Sequence, residues 1–231
     1  LAVSQLRPTT RIDYLSYSQI ETFRICPFSY KLKYIFKIPT PASAAQSFGS
    51  SVHAALRDFY LAVQTGARPS RKLIIKCLKE NWLVDGYASK SHQEKMFARG
   101  KDYLFGFLER EFDPKKIPIA MEQIFVLPLK PPVNEKQGFL KIGGIIDRVD
   151  QLAGGRIEII DYKTGANVPS QKQVDHHLQL SFYALAATGV REPPFNRKIE
   201  DILLTLYYFD NQTRISTTRT LEQLEEDIYG V

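Results

Sequence analysis

The apolar positions change their period once along the chain. Up to about residue 116 they recur at three and four residues, the spacing of one helix face; after Pro118 they alternate or run on, as strands do. In the first half, Ser16 or Ser18 is placed to cap a helix through Ile25. Pro27 begins a second, carrying Tyr30, Tyr34 and Phe36 among Lys31, Lys33 and Lys37, and Pro39 and Pro41 stop it. Phe48-Gly49-Ser50-Ser51 leads into a helix with Val52, Leu56, Phe59, Tyr60 and Val63 on one face, ending near Gly66. Further helical patterns cover 69–84 and 90–112. Ile119 to Leu129, Phe139 to Leu152 and Arg156 to Asp161 then read as strands, with a tight hairpin at Gly154-Gly155. The stripe Val174, Leu178, Phe182, Leu185 predicts a helix over Ser170 to Thr188, followed by strands at 199–209 and 212–219 and a helix at 220–229. There is no internal repeat or low-complexity segment. The order predicts an α/β protein: a helical part, 1–116, in front of a core, 117–231, built of a three-strand meander, a helix, two strands and a terminal helix, the two forming one domain.

With 231 residues, 44% of them hydrophobic, the chain is too apolar for a disordered tail and long enough for one sizeable core or two small ones. The formal charge of +6 is unevenly spread: 1–116 carries 19 Lys and Arg against 10 Asp and Glu, and 117–231 carries 12 against 15. A basic half beside an acidic one fits a part that attracts polyanions and a part that holds carboxylates for chemistry; chance unevenness over solvated faces fits it equally. Cys26 and Cys77 are too few for a disulfide framework, a structural zinc or a four-thiolate cluster, which points to a reducing, cytoplasmic setting. No apolar run approaches the ~20 residues of a membrane-spanning helix, and LAVSQLRPTT lacks the core of a secretory signal. A start at Leu1 fits a piece of a longer protein.

Two segments carry carboxylates in apolar surroundings: Gly143-Gly144-Ile145-Ile146-Asp147-Arg148-Val149-Asp150 and, across the hairpin, Ile157-Glu158-Ile159-Ile160-Asp161-Tyr162-Lys163-Thr164-Gly165. Strand alternation puts Asp161 and Lys163 on one face and Tyr162 on the other, leaving the Tyr162 carbonyl available as a ligand, and an antiparallel hairpin sets Asp147 beside Asp161. Two such acids repel, and a divalent cation with oxygen preference, magnesium or manganese, is the usual remedy. A lysine beside it orients or helps deprotonate a water, or steadies charge on a phosphoryl group. A bare D-x-K is equally consistent with an ordinary surface ion pair. Neither glycine pair begins a helix or belongs to a phosphate-loop pattern.

GGIIDRVD, IEIIDYKTG and HLQLSFYALA, in that order, resemble the successive motifs of the RecB/AddB-type branch of the PD-(D/E)xK nuclease superfamily, as do LSYSQIETFRICPFSYKLKYI and FGSSVHAAL upstream. The likeness runs from about Leu15 to Tyr183. It implies a restriction-endonuclease-like core, a central mixed β-sheet flanked by helices. It also implies that Asp147 and Asp161 bind Mg2+ or Mn2+ with His53 as a further ligand, that Lys163 is catalytic, and that Gln179 and Tyr183, one helical turn apart, contact substrate or support the lysine. Taken alone, His53 reads as a core or surface histidine and Tyr183 as a packing residue. Glu122, on the preceding strand, either helps organise the site or faces solvent. His176 and His177 offer little, since they alternate faces with no ligand at a suitable offset.

Several relatives of this type hold an iron–sulfur cluster with one cysteine near the N-terminus and three near the C-terminus. Cys26 occupies the first position, no later trio is present, and no cluster is expected for this chain as given; either the branch dispenses with it or the other ligands follow Val231. Cys77 reads as buried. The resemblance implies a metal-dependent deoxyribonuclease of DNA repair or recombination, best placed as the C-terminal exonuclease part of a helicase–nuclease, binding DNA through its backbone without sequence preference. Tyr30 and Tyr34 suit stacking on unpaired bases, and suit helix packing better. The alternative is a nuclease-like domain that binds DNA or a helicase and cuts nothing; the presence of Asp147, Asp161 and Lys163 favours activity.

Overall fold

The computed structural model describes residues 12–129 and 140–229, so Phe139 lies outside the described residues. Five strands, β1 (Ala120–Leu129), β2 (Leu140–Gln151), β3 (Ile157–Lys163), β4 (Ile202–Tyr208) and β5 (Thr213–Thr217), form one sheet in that order. All neighbours are antiparallel except β3 and β4. A parallel pair needs a crossover, supplied here by α6 (Gln171–Asp175) and α7 (Leu178–Gly189). The turn between β2 and β3 is a short 3-10 segment, Ala153–Gly155, in which Gly154 and Gly155 take φ of 74° and 82°, the left-handed region that glycine occupies at least cost.

The helix predicted over Ser170 to Thr188 is two helices. It breaks at His176 and His177, where Val174 O accepts the His177 N–H and His177 O accepts the Leu180 N–H that opens the next helix; the buried Arg219 guanidinium donates to the same two carbonyls, both at 3.1 Å. Upstream, Ser16, not Ser18, caps α1 (Tyr17–Ile25), accepting from the Gln19 N–H. Pro27 opens α2 (Pro27–Tyr30), which widens into a π turn over Lys31–Ile35. α3 (Ala44–Gln64) begins before the predicted Phe48 lead-in, because Ser43 and Gln46 form a reciprocal capping box. α4 (Arg71–Glu80), α5 (Lys90–Arg110) and α8 (Leu221–Tyr229) complete the set, and the stretch 199–201 is a 3-10 turn ahead of β4.

Strand alternation divides the interior into two layers. Ile160 and Tyr162 of β3 and Tyr207 of β4 pack under α3, α4 and α5 with Val52, Leu56, Phe59, Leu104 and Phe107. Ile157, Ile159, Leu204 and Leu206 point the other way, under α7 and α8. α7 is buried from Leu180 through Ala187, on every side and not along one stripe, which is the signature of a helix sunk in the core. Cys77 lies in the α3–α5 layer; Cys26, half-buried, caps α2 through its sulfur. No helix among the described residues is long and apolar enough to cross a membrane.

Candidate active site

The β2–β3 ladder runs from Gln151 and Ile157 to Arg148 and Ile160. The next facing pair is Asp147 and Asp161, and there the strands part: β2 continues along β1 to Leu140, while β3 continues along β4 to Lys163. The fork is closed by side chains. Asp147 Oδ2 accepts the Tyr162 N–H at 2.8 Å, a bond the ladder would otherwise have given to backbone. Asp147 Oδ1 stands 3.2 Å from His53 Nδ1, presented by α3. From the opposite layer, the Tyr183 hydroxyl of α7 lies 3.1 Å from the Ile145 carbonyl.

A slip in the alternation lets one site draw on both layers. Ile146 and Val149, three apart, face the same layer. Across the ladder, the residue facing Asp147 is Glu122, whose φ of 47° is left-handed, a costly state for a side-chain-bearing residue. Glu122 is half-buried and accepts from Arg57 Nη1 at 2.8 Å; Arg57 sits one turn beyond His53 on α3. Of the two roles open to Glu122 in the sequence, this one places it beside the fork.

Asp161, Lys163, Gln179 and Tyr183 form a closed network. Lys163 Nζ donates to Gln179 Oε1 at 2.7 Å, and Gln179 Nε2 donates to Asp161 Oδ1 and to the Tyr183 oxygen, both at 2.8 Å. The Tyr183 hydroxyl is also 2.8 Å from Asp161 Oδ1. Asp161 Oδ2 is buried and contacts Lys163 Nζ at 2.7 Å as an ion pair, but no hydrogen bond is directed at it. Burial raises the Asp147 carboxyl above its ordinary range, His53 opposes the rise, and Asp161 adds to it. Burial alone would lower His53; the adjoining Asp147 reverses that and holds the imidazole proton more tightly than usual. Lys163 follows the same course: burial pulls down, Asp161 overcomes it, and the ammonium is retained.

Residues 14–228, which include the whole fork and the helices on either side of it, match the family model of the PD-(D/E)XK nuclease superfamily. The chain belongs to that superfamily. It is 30% identical over 248 residues to an ATP-dependent helicase/deoxyribonuclease subunit of Carboxydothermus hydrogenoformans, covering 93% of this chain and 22% of the relative. It is 25% identical over 170 residues to an uncharacterized protein of Rickettsia bellii, covering 70% of this chain and 20% of that one. The chain thus spans about a fifth of the length of these curated relatives. The crystal structure of SSO0001 aligns over 80% of this chain and 75% of that chain, at 14% identity and a TM-score of 0.34.

The PD-(D/E)XK nuclease fork brings together all the residues singled out for it in the sequence: His53, Asp147, Asp161, Tyr162, Lys163, Gln179 and Tyr183. It does not present a ready-made ion cage, since no three His, Cys, Asp or Glu side chains among the described residues are gathered for one. The expected ligands stand instead as a His53–Asp147 pair and an Asp161–Lys163 pair, each acid matched to a cation of the chain itself. The donor chemistry fits a hard divalent cation: a buried carboxylate, Asp161, and a half-buried one, Asp147, an imidazole, and in Asp161 Oδ2 a buried oxygen whose one partner among the described residues is the Lys163 ammonium. Two wall residues are not predicted from the sequence. Tyr17 of α1 and His177 pack ring to ring at 5.5 Å, and burial, then Lys163, lowers the His177 pKa. His176 ends α6 as its C-cap.

Proposed function

We propose that this chain is a DNA nuclease that hydrolyses phosphodiester bonds with Mg2+ or Mn2+, acts as an exonuclease in repair or recombination, and serves as the nuclease part of a helicase–nuclease. The observation that carries the reading is the fork, where Asp147 and Asp161 leave their ladder side by side and Lys163 is held against Asp161 by Gln179. The helicase association is supported by the name of the Carboxydothermus relative. Asp147, Asp161, His53 and the Tyr162 carbonyl are the ligands assigned to the cation. When bound there, the cation supplies positive charge to the phosphoryl oxygens and acidifies water.

The remaining work falls to the chain. Lys163, held against Asp161 by an ion pair, is placed to donate to the charge that builds on the attacked phosphate. Gln179 fixes the rotamers of Lys163 and Asp161 together, so of the two roles open to it, support of the lysine has the direct contacts. Tyr183 ties α7 to both strands of the fork. The test is a time course on end-labelled linear and circular DNA, single- and double-stranded, with magnesium, manganese or EDTA. Metal-dependent shortening of linear DNA, abolished by Asp161→Ala and by Lys163→Ala, is the expected result. DNA left intact under every condition would overturn the reading in favour of a binding domain.

A further inference from the structure

A cavity of about 300 Å3 opens directly on the fork, with Gln179 and Tyr183 at one end and Tyr14, Tyr17, Phe125, Gly143 and Gly144 among its walls. Its floor is glycine for a reason. A Cβ on Gly143 would sit 2.6 Å from Tyr14 Cδ2, and one on Gly144 3.2 Å from Phe125 Cε1, so two rings lie directly on the β2 backbone. Tyr14 is anchored by its neighbour, Leu15, whose N–H donates to Lys141 O and whose carbonyl accepts from Gly143 N. One side of the Tyr14 ring is therefore pressed on the sheet, while 38% of the residue stays open to solvent. A second, smaller cavity of about 200 Å3 shares Tyr14 and is lined on its far side by Lys33, Tyr34 and Lys37. These belong to the π turn and the residues after it, a geometry that is rare and recurs at functional sites. Lys33 Nζ rests over the Tyr34 ring at 5.1 Å, and Lys33 and Lys37 are exposed. Asp13 also lines this cavity, so two ammonium groups face one carboxylate.

We propose that Tyr14 and the basic turn behind it form a subsite for an unpaired strand of DNA leading to the fork, with one base stacked on the open face of Tyr14 and the adjoining phosphates held by Lys33 and Lys37. The inference rests on the nuclease reading above and names the substrate form that the site takes. A ring platform grips a base by its face, and a duplex keeps those faces inside its own stack. Continuity sets the direction: the stacking platform lies between the fork and the lysines, so the strand crosses it on the way to Asp161 and Lys163.

The experiment measures binding of a fluorescein-labelled oligothymidylate to the full chain in EDTA, beside a hairpin duplex of matched length. Tyr14→Ala is expected to weaken single-strand binding roughly 5- to 150-fold, the worth of one base–aromatic stack, while Tyr14→Phe binds like the parent and duplex binding moves less. Lys33→Ala with Lys37→Ala, on exposed positions that leave the fold intact, is expected to flatten the slope of log affinity against log salt by about 1.4, two phosphate contacts on a single strand. Cleavage of the same oligothymidylate with manganese is read alongside. A parent that cuts it while Tyr14→Ala and the double lysine variant bind as the parent does overturns the subsite and leaves the nuclease reading standing. A parent that cuts no DNA overturns both.

Discussion

Asp161 is the residue on which the site turns. It is 3% exposed, its Oδ1 meets Gln179 and Tyr183, and its Oδ2 meets only the Lys163 ammonium. Removing Lys163 takes away one pre-aimed donor, so Lys163→Ala is expected to slow single-turnover cleavage by about 10²–10³-fold while DNA affinity in EDTA stays near that of the parent. His53 gives a pH signature. A histidine that holds its proton more tightly in the fold contributes stability that is complete below its ordinary value of about 6.5 and is lost as pH rises through the raised one. Melting of the metal-free protein should therefore shift to lower temperature as pH rises from below about 6.5 through the raised value, and His53→Gln should flatten that dependence. Asp147, Asp161 and Lys163 were legible because period-two alternation and a glycine hairpin place them without knowledge of the fold. Tyr17 and His177 were not, since each reaches the site from an element whose position the local sequence leaves open.

Among the elements, β2 carries the heaviest load. Behind Asp147, the buried Arg148 donates to both oxygens of Asp150 at 2.7 and 2.6 Å, lies over the Tyr60 ring and neighbours Glu111, which with Glu158 is paired to Arg214. Truncating one member leaves buried charge without its partner, so Arg148→Ala is expected to lower the unfolding free energy by about 3–5 kcal/mol in urea titrations. Arg71→Ala, which breaks an exposed pair with Glu109, should cost less than about 1 kcal/mol. Element types were readable from period and caps. Three things were not: the break at His176, on which Arg219 closes from 45 residues beyond Val174; the π turn; and the face switch at Asp147, where the left-handed Glu122 lies on another strand.

For the molecule as a whole, the basic first half supplies α1 to α5 and the acidic second half supplies the sheet and α6 to α8, so the charge split of the sequence separates the leading helices, α1 among them although it packs beside α7, from the sheet and the helices that follow it. A backbone-reading surface of this kind is expected to lose DNA affinity steeply as salt rises, with the same slope for unrelated sequences, as anisotropy titrations will show. The family motifs made the fold legible, since they span both layers; the meeting of the layers at one fork was visible only in three dimensions. The central claim is that acids from two diverging strands and an imidazole from the helical layer serve one divalent ion. Titration of Mn2+ into the protein, followed by electron paramagnetic resonance, tests it directly. The expected result is a saturable site in the parent that is lost in Asp147→Ala and Asp161→Ala and weakened in His53→Ala. Manganese binding that is the same in all four proteins would contradict it.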